Sequence, residues 1–126
     1  MRDGKHVILY IDDDPDFLDS MRTVLEANGY IMVEAPTAEE GLRVYRQEKP
    51  DLVIVDLMME EVDAGTRFVK ELAVLGNRAP IYMLSSVGNT MNLSADMGEL
   101  GLAGVFQKPV ETDALLKVLR TRLKKQ

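Results

Sequence analysis

Short aliphatic runs alternate along this chain with stretches of helical periodicity, and most of the runs stop on residues able to do chemistry. His6 to Ile11 stops at Asp12, Asp13 and Asp14. Ile31 to Ala35 forms a second run, and Leu52 to Val55 a third that ends on Asp56. Ile81 to Leu84 is closed by Ser85-Ser86, and the short Val105 to Gln107 run precedes Lys108. Runs of this length, bounded by turn residues, predict buried strands. Leu52 to Val55 is the most continuous of them and is expected to be the central strand, covered on both faces.

The intervening segments carry helix signals. Pro15 suits a first helical position with Asp14 as N-cap, and Phe17, Met21, Val24 and Leu25 recur at helical spacing until Asn28-Gly29. Thr37-x-x-Glu40 is a capping box that opens a helix with Ala38, Gly41, Leu42 and Tyr45 on one face, ending before Pro50. Phe68, Val69, Leu72 and Leu75 mark a third helix. Leu93, Met97 and Leu100 mark a fourth, weakened by Gly98. Thr112 to Lys124 is predicted as a fifth, with Leu115, Leu116, Leu119 and Leu123 as its apolar positions. Strands alternating with helices imply an α/β fold, a parallel sheet covered on both faces and joined by right-handed crossovers. In such sheets ligands sit outside the carboxyl ends of the strands, where strand order reverses.

At 126 residues, 46% apolar and 29% charged, the chain is expected to form one globular domain over 1–126. A formal charge of -6 repels polyphosphate backbones and acidic lipid, so direct nucleic-acid or membrane-surface binding is not expected. With Cys at 0 there is no disulfide framework, thiolate nucleophile or cysteine zinc site, which fits a cytoplasmic address. Val7 to Ile11 is far too short for a signal-peptide core or a membrane span.

The predicted topology gathers Asp12 and Asp13, Asp56, Ser85 and Lys108 at one sheet edge. Carboxylates brought together repel, so either some take up protons or a hard cation neutralises them. An oxygen-only donor set favours Mg²⁺. A hydroxyl and an ammonium on the opposite flank supply what the equatorial oxygens of a transferred phosphoryl group require. Singly, each residue has an ordinary explanation: Asp14 is a helix cap, and Ser or Lys after a strand is commonplace. Their joint placement at four strand ends carries the functional reading.

With Ile8-Leu9-Tyr10-Ile11-Asp12-Asp13-Asp14, Asp51-Leu52-Val53-Ile54-Val55-Asp56-Leu57-Met58-Met59, Ser85-Ser86 and Lys108-Pro109, the chain resembles the receiver domains of bacterial response regulators from His6 to about Leu123. The resemblance implies a flavodoxin-like three-layer sandwich, a five-stranded sheet of order 2-1-3-4-5 with five helices. It implies Asp56 as phosphoacceptor and Mg²⁺ held by Asp13, Asp56 and the Met58 carbonyl, with Asp12 acting partly through water. Ser85 and Lys108 would engage the phosphoryl oxygens, and the Lys108-Pro109 peptide would be cis. The implied donor is a phosphohistidine on a sensor histidine kinase or phosphotransfer protein, with small acyl phosphates as substitutes, in a switch that is not a turnover enzyme. An output domain or downstream protein would meet the face formed by helix four, strand five and helix five. His6 is expected to be structural.

Several positions depart from the family pattern. Glu60 and Ala64 stand where receivers usually have Pro and Gly, with Gly65 one residue late; Glu60, Glu61 and Asp63 are expected to be a solvated loop. Val105 occupies the place of the usual switch aromatic, while Phe106 points to the opposite face and is expected in the core. Met58 and Val87 put apolar cover beside the phosphoryl position, which favours a long-lived acyl phosphate. Met21, Met83 and Met97 sit at apolar-face positions as core filling. The basic tail Arg120, Arg122, Lys124 and Lys125 complements a helix C-terminus.

Two rival readings stand beside this one. A haloacid dehalogenase-type phosphatase would use Asp12 as nucleophile and Asp14 as general acid, but the chain is short for the cap such enzymes carry. A receiver-like module without phosphorylation would serve only as an interaction scaffold.

Overall fold

The computed structural model describes residues 3–56, 64–85, 102–107 and 110–123, with the backbone alone at 64–66 and at Ser85. Its sheet has five parallel strands, β1 Val7–Ile11, β2 Ile31–Ala35, β3 Leu52–Asp56, β4 Ile81–Ser85 and β5 Gly104–Gln107, in the order β2-β1-β3-β4-β5. Among the described residues the helices are α1 Pro15–Ala27, α2 Ala38–Glu48, α3 Ala64–Val74 and a C-terminal helix Thr112–Arg122. The predicted fourth helix, through Leu93, Met97 and Leu100, lies outside the described residues. So do Met58, the Glu60 to Asp63 loop, Ser86, Val87, Lys108 and Pro109.

The period of two along each strand divides the core into two layers. Ile8, Tyr10, Leu52, Ile54, Tyr82 and Leu84 face α1 and the C-terminal helix, against Leu18, Met21, Leu25, Leu115, Leu116 and Leu119. Leu9, Ile11, Val53, Val55, Ile81 and Met83 face α2 and α3, against Val44, Phe68, Val69 and Leu72. Every residue of β1 and β3 is buried, as expected for central strands. Each fully buried aliphatic side chain contributes roughly 1.5–3 kcal/mol relative to exposure, so this central pair is strongly held.

The helix starts follow their predicted chemistry. Asp14 accepts a bond from the Asp16 N–H at 2.9 Å with Pro15 at the first helical position. Thr37 Oγ1 accepts from the Glu40 N–H at 3.1 Å, one half of the predicted capping box, while the Glu40 carboxylate pairs with Arg43. Gly29 follows α1 at φ 86°, a conformation open to glycine. Two apolar faces are wider than predicted, since Leu18 and Val44 are buried while Phe17, Val24, Ala38, Leu42 and Tyr45 are only partly so. Leu75, predicted on the buried face of this helix, lies just past the end of α3 and is exposed. His6 is buried where it enters β1, and its carbonyl accepts from the Ile31 N–H at 3.0 Å.

Candidate functional site

Strand register brings the acidic residues level. Tyr10 is opposite Ile54 and Ile11 opposite Val55, so Asp12, just past β1, and Asp56, at the end of β3, stand side by side. Both continue the face that carries Tyr10 and Ile54, since side chains two apart in a strand share a face. On the other flank of β3, Asp56 is opposite Leu84 and Leu84 opposite Phe106. Ser85 and Gln107 pair at the next step, and Lys108 follows directly in sequence. Asp56 and Ser85 are thus the last paired residues of their strands, one step earlier than the sequence reading placed them.

One carboxylate oxygen from each of Asp12, Asp13 and Asp56 lies within 4.8 Å of the other two. Asp12 is 0% exposed and Asp56 3%, whereas Asp13 is exposed and opens the cluster to solvent. Among the described residues the buried polar or charged side chains are His6, Asp12 and Asp56, so two of the three belong to this cluster. Burying acidic groups side by side is costly unless they are paired or hydrogen-bonded. Asp12 meets that condition through the Tyr10 hydroxyl, which donates to Oδ2 at 2.5 Å, and the Asp14 N–H, which donates to Oδ1 at 3.0 Å.

Sequence reasoning used Tyr10 only as part of a strand. Its role was detectable, since a tyrosine two residues before a buried aspartate shares that residue's face. Burial first, then the bond to Asp12 and the charges of Asp12, Asp56 and Asp14, push ionisation of the Tyr10 phenol far above its ordinary range. At neutral pH its hydroxyl is therefore a neutral donor.

An oxygen-only set of two buried and one exposed carboxylate is chemically suited to a small hard cation that keeps several waters. The described residues thus bring together Asp12, Asp13 and Asp56 and align Ser85 beside them along the backbone. The parts assigned to Met58 and Lys108 lie outside the described residues.

A family model for the response regulator receiver domain matches residues 8–120. The chain belongs to that family. Receiver-domain relatives include the transcriptional regulatory protein GlrR of Escherichia coli K12, 36% identical over 89% of this chain but over only 25% of the relative. The chain therefore spans about a quarter of the length of that regulator. It is 29% identical to the chemotaxis protein CheY of Bacillus subtilis, over 94% of this chain and 98% of CheY. Among solved structures, a CheY-like response regulator receiver domain protein from Methanospirillum hungatei superposes with a TM-score of 0.85 at 28% identity, covering 94% of each chain. As a receiver domain of two-component systems, the chain has the flavodoxin-like fold of these neighbours and the acidic cluster at the expected edge.

Proposed function

We propose that residues 1–126 form one receiver domain that takes a phosphoryl group onto Asp56 in a Mg²⁺-dependent reaction. The observation that carries this reading is the meeting of Asp12, Asp13 and Asp56 within 4.8 Å at the carboxyl edge of the central strands. Asp12, Asp13 and Asp56 would hold Mg²⁺ together with the Met58 carbonyl; the ion, when bound, offsets the carboxylate charge and the charge on the phosphoryl oxygens. A carboxylate oxygen of Asp56 attacks phosphorus, the bond from phosphorus to the donor breaks, and the donor leaves with its electron pair. Ser85 and Lys108 would receive the phosphoryl oxygens.

The donor is a phosphohistidine of a sensor histidine kinase or phosphotransfer protein, and the chain acts as a cytoplasmic switch, not a turnover enzyme. Among the described residues no helix is long and apolar enough to cross a membrane. The phosphatase reading would instead place the phosphoryl group on Asp12, whose two oxygens accept from the Tyr10 hydroxyl and the Asp14 N–H. Incubation with acetyl phosphate and Mg²⁺ should add one phosphoryl group by intact mass, lost with EDTA and in Asp56→Asn. An adduct mapped to Asp12 would reverse the assignment.

Signal output also departs from the family pattern. Val105 is partly buried against the α2 and α3 layer, while the aromatic pair Tyr82 and Phe106, with ring centroids 5.4 Å apart, lies in the opposite layer. The switch would therefore run without a ring at position 105. Unchanged amide shifts on the face of helix four, strand five and helix five after phosphorylation would support this, and large shifts would oppose it.

A further inference from the structure

At least three hydrogen bonds hold Asp12. Its N–H donates to the Ala35 carbonyl at 3.1 Å, its Oδ1 accepts from the Asp14 N–H, and its Oδ2 accepts from the Tyr10 hydroxyl. Two of those holds are backbone groups that any residue in the loop would supply. The third is a side chain, buried at 0% exposure among Ile8, Ile54 and the α1 residues, with its hydroxyl reaching the sheet edge.

We infer that Tyr10 is a positioning residue for the divalent-cation site, fixing through its hydroxyl the Asp12 carboxylate in the pose that meets Asp13 and Asp56. The inference rests on the proposal that these carboxylates take Mg²⁺. A carboxylate oxygen has two lone pairs, so accepting from Tyr10 and Asp14 does not by itself saturate either oxygen of Asp12. The donor offsets repulsion from the neighbouring carboxylates and stops rotation about the Cβ–Cγ bond. It also draws charge from the carboxylate, which opposes cation binding. Against that loss stands the orientation, which spares the cation the cost of ordering Asp12 when it binds. Partners that support a ligand in this way typically change metal affinity 10–100-fold.

The test uses the whole chain and Mg²⁺ alone, titrated by amide NMR shifts and by calorimetry. Tyr10→Phe keeps the ring and removes one oxygen. Its Mg²⁺ dissociation constant is expected to rise by roughly tenfold, while Tyr10→Phe added to Asp12→Asn leaves the constant of Asp12→Asn unchanged. Equal affinity of Tyr10→Phe and the native chain overturns the inference, as does an equal loss in both backgrounds. Should Tyr10→Phe fail to fold, the hydroxyl proton of Tyr10 in the native protein provides the measurement: it shifts on Mg²⁺ addition if Tyr10 serves the site, and stays fixed if its role is structural. Failure of the native chain to bind Mg²⁺ would overturn the metal reading itself, which is distinguishable from a silent Tyr10→Phe.

Discussion

Gly104 lies directly against the ring of Tyr82, its register partner on β4, so that a Cβ on Gly104 would stand 2.8 Å from the ring Cε1. The ring cannot move away freely. It packs on Phe106, and its hydroxyl accepts from Arg122 Nε at 2.9 Å. Gly104→Ala is expected to cost about 1–3 kcal/mol, the usual penalty of overpacking, measured by urea denaturation. Adding Tyr82→Leu should relieve part of that loss; strict additivity of the two changes would show that the contact is not the cause.

Asp13 and Asp14 are neighbours with separate tasks. Asp13 joins the carboxylate cluster, while the Asp14 side chain caps α1 and only its backbone N–H reaches Asp12. Saturating Mg²⁺ should raise the melting temperature of the native chain, since a ligand at 100 times its dissociation constant adds roughly 2.7 kcal/mol. Asp13→Asn should abolish the rise. Asp14→Asn should keep it, because Asn caps a helix about as well as Asp. A Mg²⁺ response lost in both variants would contradict this division.

Tyr45 ties α2 to the turn before β4, donating its hydroxyl to Asn77 Oδ1 at 2.8 Å. Asn77 Oδ1 also accepts from the Ala79 N–H at 3.0 Å, so removing the hydroxyl leaves that oxygen satisfied. Tyr45→Phe is therefore expected to cost only about 0.5–1 kcal/mol at neutral pH. Burial raises the Tyr45 phenol above its ordinary range. The unfolded chain then ionises first, so this contribution is intact below pH 10 and falls as pH climbs above it. Chemical denaturation across alkaline pH should show a shallower decline for Tyr45→Phe than for the native chain.

Arg22 links α1 to β2 through Glu34 at 2.5 Å and the Met32 carbonyl at 3.1 Å, and also pairs with Glu26. Arg22 and Glu34 are both more than a third exposed, so solvent weakens the pair. Glu34→Gln is expected to cost at most about 1 kcal/mol, and the difference should shrink as salt is added. A larger, salt-insensitive loss would mean that the pair matters through packing.

The strands and helix starts were legible because strand period and helix caps act locally, whereas the strand order came only with the family resemblance. Leu52 to Asp56 carries no polar interruption, and the Asp14 and Thr37 caps need only their own neighbouring amides. The helix faces were less legible. Leu18 and Val44 are buried because of how the helices rotate against the sheet, which a list of apolar spacings does not fix. At the site, Asp12, Asp13 and Asp56 were visible as strand endings. Tyr10 went unread because a tyrosine fits a strand equally well for its ring, although its place two residues before Asp12 set the two on one face.

The level alignment of β1 and β3 makes strand length a stricter requirement than strand composition. Exchanging one buried aliphatic for another in Leu52–Val55 changes packing and leaves the aspartate where it is. Inserting or deleting a single residue there, with the pairing of the earlier residues kept, would carry Asp56 to the α2 and α3 side, away from Asp12. Drift in this chain is thus free to alter what the strands are made of far sooner than how many residues they contain.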